Sequence, residues 1–581
     1  MPPRRPQKRR TGDDDADSRA KKRPGKRREP TYDTYDEALD GGVEMEEKGE
    51  RYRDGEKAQR FYEKAAELYK NAVGFSRTYD AVYNQARVLY TLGTSFLLPP
   101  SAVELLTESL NLHRLASTLT NSPLLQMDVG FNLAQTATSL ADMLEELEGD
   151  SRKSDVRALR IEARDVLDQV LQGQAAFLEK TQEEGDDETT EEAAEAMGDA
   201  GELAEEAVQE EAVNAEDDRS VEEDETGMEV DEDEDDNDGT YETHLPTPST
   251  FIDTVLAVVD VHLSLWESVD PPALPDAEQQ GAVRAALDQA AALVPPGRQA
   301  ELDFTEIKVL LTMDSIVWDL YKAEARVGTG IEKSLDGATI ALSSLLANLE
   351  AQPPDEPTVR ADVLTTLAET HSTIAYRMMF LAPQLPPGPS PLGQQAWFHL
   401  SQAITHLSTA LDIPTTAITP REFKPSVLLS LAKASLARAR LSDISDAAKR
   451  NAPQLFENAT TYAGRAAEGL GWGFIRLESA AVGRPTLPYQ AGWDGELLAK
   501  QIALQQLRAC LYAGRTELVP EEKEKYTKAR EGLVQRLKSC EAARRVGAPD
   551  VHRLVDDVED EEGQMGDVEK GWWRELAEEL E

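Results

Sequence analysis

The chain is poor in cysteine, aromatic residues and positive charge. Its 581 residues include two cysteines (Cys510 and Cys540), 6% aromatic residues, and 61 Lys and Arg against 109 Asp and Glu. Two cysteines suit structural thiols in a reducing compartment better than a disulfide framework. The net charge of −48 argues against binding to duplex nucleic acid or to anionic membranes, because both need basic surfaces.

Long apolar runs are also missing. No uninterrupted run of 18 apolar residues occurs, so we expect no transmembrane helix. Residues 1–5 read Met-Pro-Pro-Arg-Arg and do not begin an apolar stretch, so we expect no secretory signal.

Motifs that carry catalysis are absent as well. The sequence contains no HExxH, no GxxxxGK[ST], no GxGxxG and no GxSxG. His399 and His406 are seven residues apart and can share a helix face, but no acidic or cysteine ligand completes a metal-binding set. We therefore expect a protein that is not an enzyme and that holds no cofactor and no metal.

The negative charge is concentrated in one internal block. Residues 183–238 contain 29 Asp and Glu and a single basic residue, Arg219, which gives a local net charge of −28. Such a segment is too charged to fold alone, and it favours basic proteins such as histones or ribosomal proteins as partners. The alternative interpretation is a solvated linker. A third is a segment that folds back on the basic N-terminal arm.

The positive charge near the N-terminus falls into two clusters separated by an Asp-rich spacer. The clusters consist of Arg4, Arg5, Lys8, Arg9 and Arg10, and of Lys21, Lys22, Arg23, Lys26, Arg27 and Arg28. This spacing resembles a bipartite nuclear import signal, which predicts a nuclear import receptor as partner and a nuclear protein that shuttles with the cytoplasm. A nucleic-acid-binding arm is the other interpretation.

The remaining sequence has the periodicity of amphipathic helices. Apolar residues recur at i, i+3, i+4 and i+7, and proline pairs such as Pro99-Pro100 and Pro386-Pro387 mark helix ends. A capped helix is expected after Thr247-Pro248-Ser249. Further helices are predicted at about 276–293, 299–326, 331–350, 356–381, 390–411, 424–442, 452–470, 494–513 and 520–545.

A small–large–small spacing recurs within these helices. The positions are Ala58, Tyr62 and Ala65; Ala102, Leu106 and Ser109; Ala163, Leu167 and Val170; and Ala403, Leu407 and Ala410. Small residues let a neighbouring backbone approach, and the large residue between them fills the groove, so this spacing is typical of closely packed antiparallel helix pairs.

These segments resemble the second helices of tetratricopeptide (TPR) repeats. Residues 82–90 (VYNQARVLY) and 131–141 (FNLAQTATSLA) are similar to the first helices, with Ala86 and Ala134 where the TPR pattern has Gly, and the characteristic Trp is missing. The resemblance implies an all-α solenoid with a concave protein-binding face, about three repeats before the acidic block and three or four after it. The architecture is also similar to acidic-insert TPR histone chaperones and to TPR ribosomal-protein chaperones.

The C-terminus ends in a short apolar stripe. Trp572, Trp573, Leu576 and Leu580 lie at helical spacing, and a helix this short is unstable alone. It is either a cap that docks onto the array or a peptide that binds another protein.

Five regions follow from these patterns. They are a disordered basic arm (1–40), N-terminal TPR-like repeats (41–182), a disordered acidic insertion (183–245), C-terminal TPR-like repeats (246–545), and an acidic tail with a short terminal helix (546–581). The organisation predicts a nuclear, non-enzymatic chaperone or adaptor that binds a basic client, a histone or a ribosomal protein, through the concave face and the acidic segment. The rival hypothesis is a scaffold subunit of a larger nuclear complex, with the acidic block as a linker.

Overall fold

The chain folds into a succession of α-helices joined by short connections. The computed structural model describes residues 32–53, 55–185, 245–323, 334–351, 357–381, 388–416, 419–477, 492–515, 518–540, 546–562 and 565–581. Within these ranges there are eighteen α-helices and no strand. The helices are α1 Tyr35–Tyr52, α2 Gly55–Phe75, α3 Tyr79–Ser95, α4 Ser101–Leu119, α5 Pro123–Glu148, α6 Lys153–Gly185, α7 Pro248–Glu267, α8 Ala277–Leu293, α9 Gln299–Ala323, α10 Asp336–Ala351, α11 Pro357–Leu381, α12 Pro391–Leu411, α13 Phe423–Arg440, α14 Asp446–Gly469, α15 Trp493–Arg515, α16 Pro520–Lys538, α17 Ala548–Glu562 and α18 Asp567–Leu580.

Side-chain caps begin several of these helices. Thr247 caps α7 in a reciprocal box with Thr250, and Asp276 caps α8 in the same way with Gln279. Ser445 caps α14 by accepting a hydrogen bond from the Ala448 N–H. Each cap satisfies backbone donors that would otherwise lack a partner in the first turn.

Consecutive helices pack as pairs, and the pairs stack into a continuous all-α, TPR-like solenoid. The pairs α1–α2, α3–α4, α5–α6, α11–α12 and α13–α14 pack most extensively, whereas α7–α8 and α9–α10 pack more loosely. Three pairs precede the acidic block and five follow it, up to α15–α16. The predicted fold class, a TPR-like helical solenoid, is thereby confirmed for the described ranges.

The array continues across the position of the acidic block. Helix α6, which ends at Gly185, packs directly against α7, which begins at Pro248. Leu171 and Leu178 of α6 share one hydrophobic cluster with Phe251 of α7. The helices on the two sides of the acidic block therefore belong to one stack and not to two separate bodies.

Helix α7 is the most apolar element of the stack. By length and composition alone, with a mean hydropathy of 1.3, it is long enough to cross a membrane. Of that apolar window, 61% is buried inside the protein, where α7 packs between α6 and α9. This is the environment of a core helix.

Several predicted boundaries differ from the structure. Helix α1 begins at Tyr35, inside the predicted arm of residues 1–40, because Thr34 caps it and Ala38 and Leu39 are buried. Helix α14 begins at Asp446 instead of 452, with Ser445 as its cap.

The C-terminal tail also differs, because residues 546–581 form two helices instead of one. The apolar stripe of α17 (Val551, Leu554 and Val558) is set among acidic residues, which hid it from the composition.

Candidate interaction groove

The twelve small–large–small positions all lie inside the helix stack. Their exposed fractions range from 0% to 7%; the residues are Ala58, Tyr62, Ala65, Ala102, Leu106, Ser109, Ala163, Leu167, Val170, Ala403, Leu407 and Ala410. Ser109 Oγ of α4 donates a hydrogen bond of 2.7 Å to the Ala86 carbonyl of α3, at one of the positions where TPR repeats have Gly. These residues form the contacts inside the array, and other side chains form its surfaces.

The first helices of successive pairs line one face of the array. Along this face α3 packs on α5, α7 on α9, α9 on α11, α11 on α13, and α13 on α15. The face curves inward, because the start of α15 reaches back to the end of α3. A Cβ at Gly492 would contact the Thr94 carbonyl oxygen, and Trp493 joins the hydrophobic cluster of α4 and α5. We call this concave face the groove.

Helix α17 lies in the groove along its own chain's first helices. It packs against α11 and α15, and ion pairs join it to four of the groove helices. The pairs are Arg553 with Glu146 of α5 at 3.1 Å, Asp560 with Lys322 of α9 at 3.8 Å, Glu561 with Lys433 of α13 at 3.1 Å, and Asp550 with Lys500 of α15 at 3.3 Å. The groove is therefore occupied by an acidic helix of the same chain.

A buried ionic cluster fixes the C-terminal end of α17. Arg508 of α15 donates from Nη1 and Nη2 to the two carboxylate oxygens of Glu562, at 2.7 and 2.8 Å, and from Nε to Glu569 of α18 at 3.0 Å. Arg440 of α13 also pairs with Glu562, and Tyr512 donates to Glu569. The side chains of Arg508, Glu562 and Glu569 are 1%, 3% and 5% exposed. Such bidentate, charge-assisted hydrogen bonds are stronger than neutral ones.

The groove shifts the pKa values of two carboxyl groups of α17 in opposite directions. Burial alone would raise the pKa of Glu562, but Arg508 and Arg440 lower it to about 2, so this group is ionised at neutral pH. Burial, with a contribution from neighbouring Glu561, raises the pKa of Asp557 to about 6. The end of α17 is thus electrostatically favourable in its charged form, whereas its middle carries the cost of a partly buried carboxylate at neutral pH.

An open cavity of about 1070 Å³ remains beside α17 in the groove. Its walls come from α7, α9, α11, α13 and α17. Seven carboxylates and three cations line it: Glu267, Asp314, Asp319, Glu369, Glu559, Asp560 and Glu561, and Lys322, Arg377 and Lys433. Burial raises the pKa of both Glu267 and Glu369. With α17 in place, the cavity therefore has an excess of acidic groups.

Helix α18 packs against the end of the array. Trp573, Leu576 and Leu580 are 2%, 3% and 1% exposed and belong to a hydrophobic cluster with Leu533 and Leu537 of α16. The fourth residue of the predicted docking stripe, Trp572, is partly buried against the same cluster. In this structure the terminal stripe covers the last helix pair of its own chain.

Three histidines meet between α11 and α12, one more than sequence spacing suggested. His371 Nδ1 lies 3.0 Å from His399 Nδ1, and the rings of His371 and His406 stack with centroids 5.7 Å apart. Burial, with a contribution from the other two histidines, lowers the pKa of His371 to about 4, so its ring is neutral at pH 7. Because His371 lies on α11 and the others on α12, only the pairing of these helices brings the three together.

The remaining titratable candidates are the two cysteines and the clusters of acidic and histidine side chains. Both cysteines are buried, and burial raises the pKa of the Cys510 thiol to about 12. Across the described ranges, no group of three or more His, Cys, Asp or Glu side chains is arranged to hold a metal ion. The eleven residues of the predicted import signal, and all of the acidic block beyond Gly185, lie outside the described residues.

Comparison with known proteins gives matches among solved structures. No family model matches the chain, and no curated protein matches it. Among solved structures, the chain is similar to the crystal structure of yeast Tom70, at 12% sequence identity over 93% of this chain and 95% of that one, with a TM-score of 0.16. A TM-score this low carries no argument about fold or function. The helix pairs described above are the basis for the fold.

Proposed function

We propose that this protein is a non-enzymatic chaperone or adaptor of the nucleus that binds a basic client, a histone or a ribosomal protein. The observation that carries the proposal is the position of the acidic segment. Because α6 and α7 pack directly on each other, residues 186–244 are not needed to span a gap between two bodies. A segment of such charge, inserted between two helices that pack directly on each other, can act as a polyanion toward a partner.

The open cavity in the groove supports the same client chemistry. Its seven carboxylates outnumber its three cations, so its charge favours Lys and Arg side chains of a bound segment. Glu559, Asp560 and Glu561 of α17 contribute to this excess. A basic client would then be held by two acidic surfaces, the cavity and the inserted segment.

Nuclear action is proposed on the two basic clusters near the N-terminus. Loss of the second cluster tests this separately from client binding: replacement of Lys21, Lys22, Arg23, Lys26, Arg27 and Arg28 by Ala should move a fluorescently tagged protein to the cytoplasm. Unchanged nuclear accumulation would contradict the import signal.

Client binding is tested with the full chain and a length-matched charge variant. In the variant, every Asp and Glu of residues 183–238 is replaced by Asn and Gln, which keeps the length of the insertion. Tagged proteins are used to capture purified core histones and a pool of ribosomal proteins at about 150 mM and about 500 mM salt. We expect stoichiometric capture by the natural chain at low salt, loss at high salt, and little capture by the variant.

The rival function, a scaffold subunit, predicts the opposite salt dependence. Large partners that resist high salt and bind the charge variant equally well would indicate packing through apolar helix faces. That outcome would return the acidic segment to the role of a spacer.

A further inference from the structure

We propose that the groove is also a docking surface for an acidic amphipathic helix of a partner protein, and that α17 is the chain's own competitor for that surface. This inference does not rest on the basic client, because the groove cations bind the opposite charge. It assigns a second interaction surface to the chain.

Helix α17 makes contacts beyond those of an ordinary helix pair. It packs on its neighbour α18, as other consecutive helices do, but it also lies across the first helices α11 and α15 and contacts residues of α5, α9 and α13. Peptide ligands of helical grooves make this kind of contact, with apolar anchors on one face and charged groups at the rim. The seating of α17 therefore shows directly which chemistry the groove accepts.

The contacts of α17 define a recognition pattern. Its apolar anchors Val551, Leu554 and Val558 are buried at i, i+3 and i+7. Carboxylates stand at i−1 (Asp550) and at i+10 and i+11 (Glu561 and Glu562), and each meets a groove cation. Those cations are Lys500, Lys433, and the pair Arg440 and Arg508. A partner helix with the same pattern of apolar and acidic positions would satisfy every one of these groups.

The fit of α17 is good at its ends and poor in its middle. Burial raises the pKa of Asp557, and the nearby Glu561 raises it further. Lys433 offsets only part of this effect. A partner helix with a neutral residue at i+6 would keep the anchors without this cost, which favours displacement of α17.

The probe for this surface is a fluorescein-labelled peptide of residues 546–565, added to the full-length protein. In the tail-released variant Leu554→Asp, an acidic side chain replaces a buried anchor and the groove opens. We expect the variant to bind the probe at least about tenfold more tightly than the natural chain does. Adding Lys433→Glu and Arg440→Glu should abolish binding. Adding Lys528→Glu instead, at a side chain that is 71% exposed on α16, should leave it unchanged.

A folded tail-released variant that fails to bind the probe would overturn the proposal. Hydrogen exchange of the natural chain provides a test that needs no variant. We expect amides of α17 to exchange at least about tenfold faster than those of α13 and α15, which line the groove. Equal protection of the three helices would make α17 a fixed part of the core and would also overturn it.

Sedimentation of the tail-released variant tests the other possible occupant of the groove, the tail of a second copy of the chain. A monomer that binds the probe supports a partner helix. A dimer that the probe dissociates would assign the surface to the tail of a second copy, against the proposal.

Discussion

Replacement of Arg508 by Met should loosen the C-terminal helices by about 2–4 kcal/mol. The substitution preserves much of the side-chain volume but leaves Glu562 and Glu569 buried with fewer partners. Removing one partner of a buried ion pair costs about 3–5 kcal/mol, because the other charge remains desolvated. Arg440 still pairs with Glu562, which places the expected value toward the lower end.

The pKa of Glu562 reflects the net effect of its whole surroundings: burial raises it, and Arg508, Arg440 and Lys433 lower it. Its ordinary value is 4.5, and the groove lowers it to about 2. At about 1.4 kcal/mol per unit, this difference corresponds to about 3 kcal/mol. Because the folded pKa is depressed, this stabilisation is present above about pH 4.5 and is lost as the pH falls toward 2. Because Arg440 and Lys433 contribute to this value, loss of Arg508 removes only part of it.

Hydrogen exchange is the suitable assay, because a stacked array does not unfold in a single step. We expect amides of α15, α17 and α18 to exchange roughly 30- to 700-fold faster in Arg508→Met, while α1–α4 stay unchanged. The matched control is Arg284→Met. Arg284 pairs with Asp288 at 3.1 Å, but both side chains are mostly exposed, so its loss should cost under about 0.5 kcal/mol. A change of less than about tenfold in Arg508→Met would refute the reasoning.

Three further predictions concern close packing, pH and the acidic segment. Gly393→Ala should destabilise α12 by about 1–3 kcal/mol, measured by hydrogen exchange, because the new Cβ would contact the Ile444 carbonyl oxygen. Its control Gly281→Ala, with open space around the new Cβ in α8, should stabilise by about 0.5–1 kcal/mol. The raised pKa of Asp557, about 6, means that protonation favours the docked tail. Protection of α17 should therefore increase as the pH falls from 7 toward 4, and Asp557→Asn should remove this dependence in hydrogen exchange. Replacing residues 186–244 by a short Gly/Ser linker should leave helical content by circular dichroism nearly unchanged; a large loss would mean that the segment supports the array.

Local sequence features determined most of the helices. Apolar spacing located α8, α11 and α12 within about one residue at each end, because period and caps are properties of neighbouring residues. The small–large–small positions likewise marked residues that are buried between paired helices. The predicted helix starts were less accurate where a capping residue begins a helix before the apolar pattern does, as Thr34 does for α1 and Ser445 for α14.

The groove could not be derived from sequence. The charged residues of α17 resembled a solvated acidic tail, and its partners Lys322, Lys433 and Arg508 are dispersed over nearly 200 residues of other helices. No spacing rule connects positions so far apart. The same holds for His371, which meets His399 only because α11 and α12 pair.

The sequence by itself therefore determined the helical class, the repeat-like packing and the acidic and basic segments, since each depends on residues close together in the chain. The tertiary structure alone decided that α6 and α7 stack directly, that the first helices form one concave face, and that α17 lies in it. The physical reason is that curvature accumulates from the small rotation between successive helix pairs. This curvature brings charges that are far apart in the sequence close together, and no local sequence pattern predicts it.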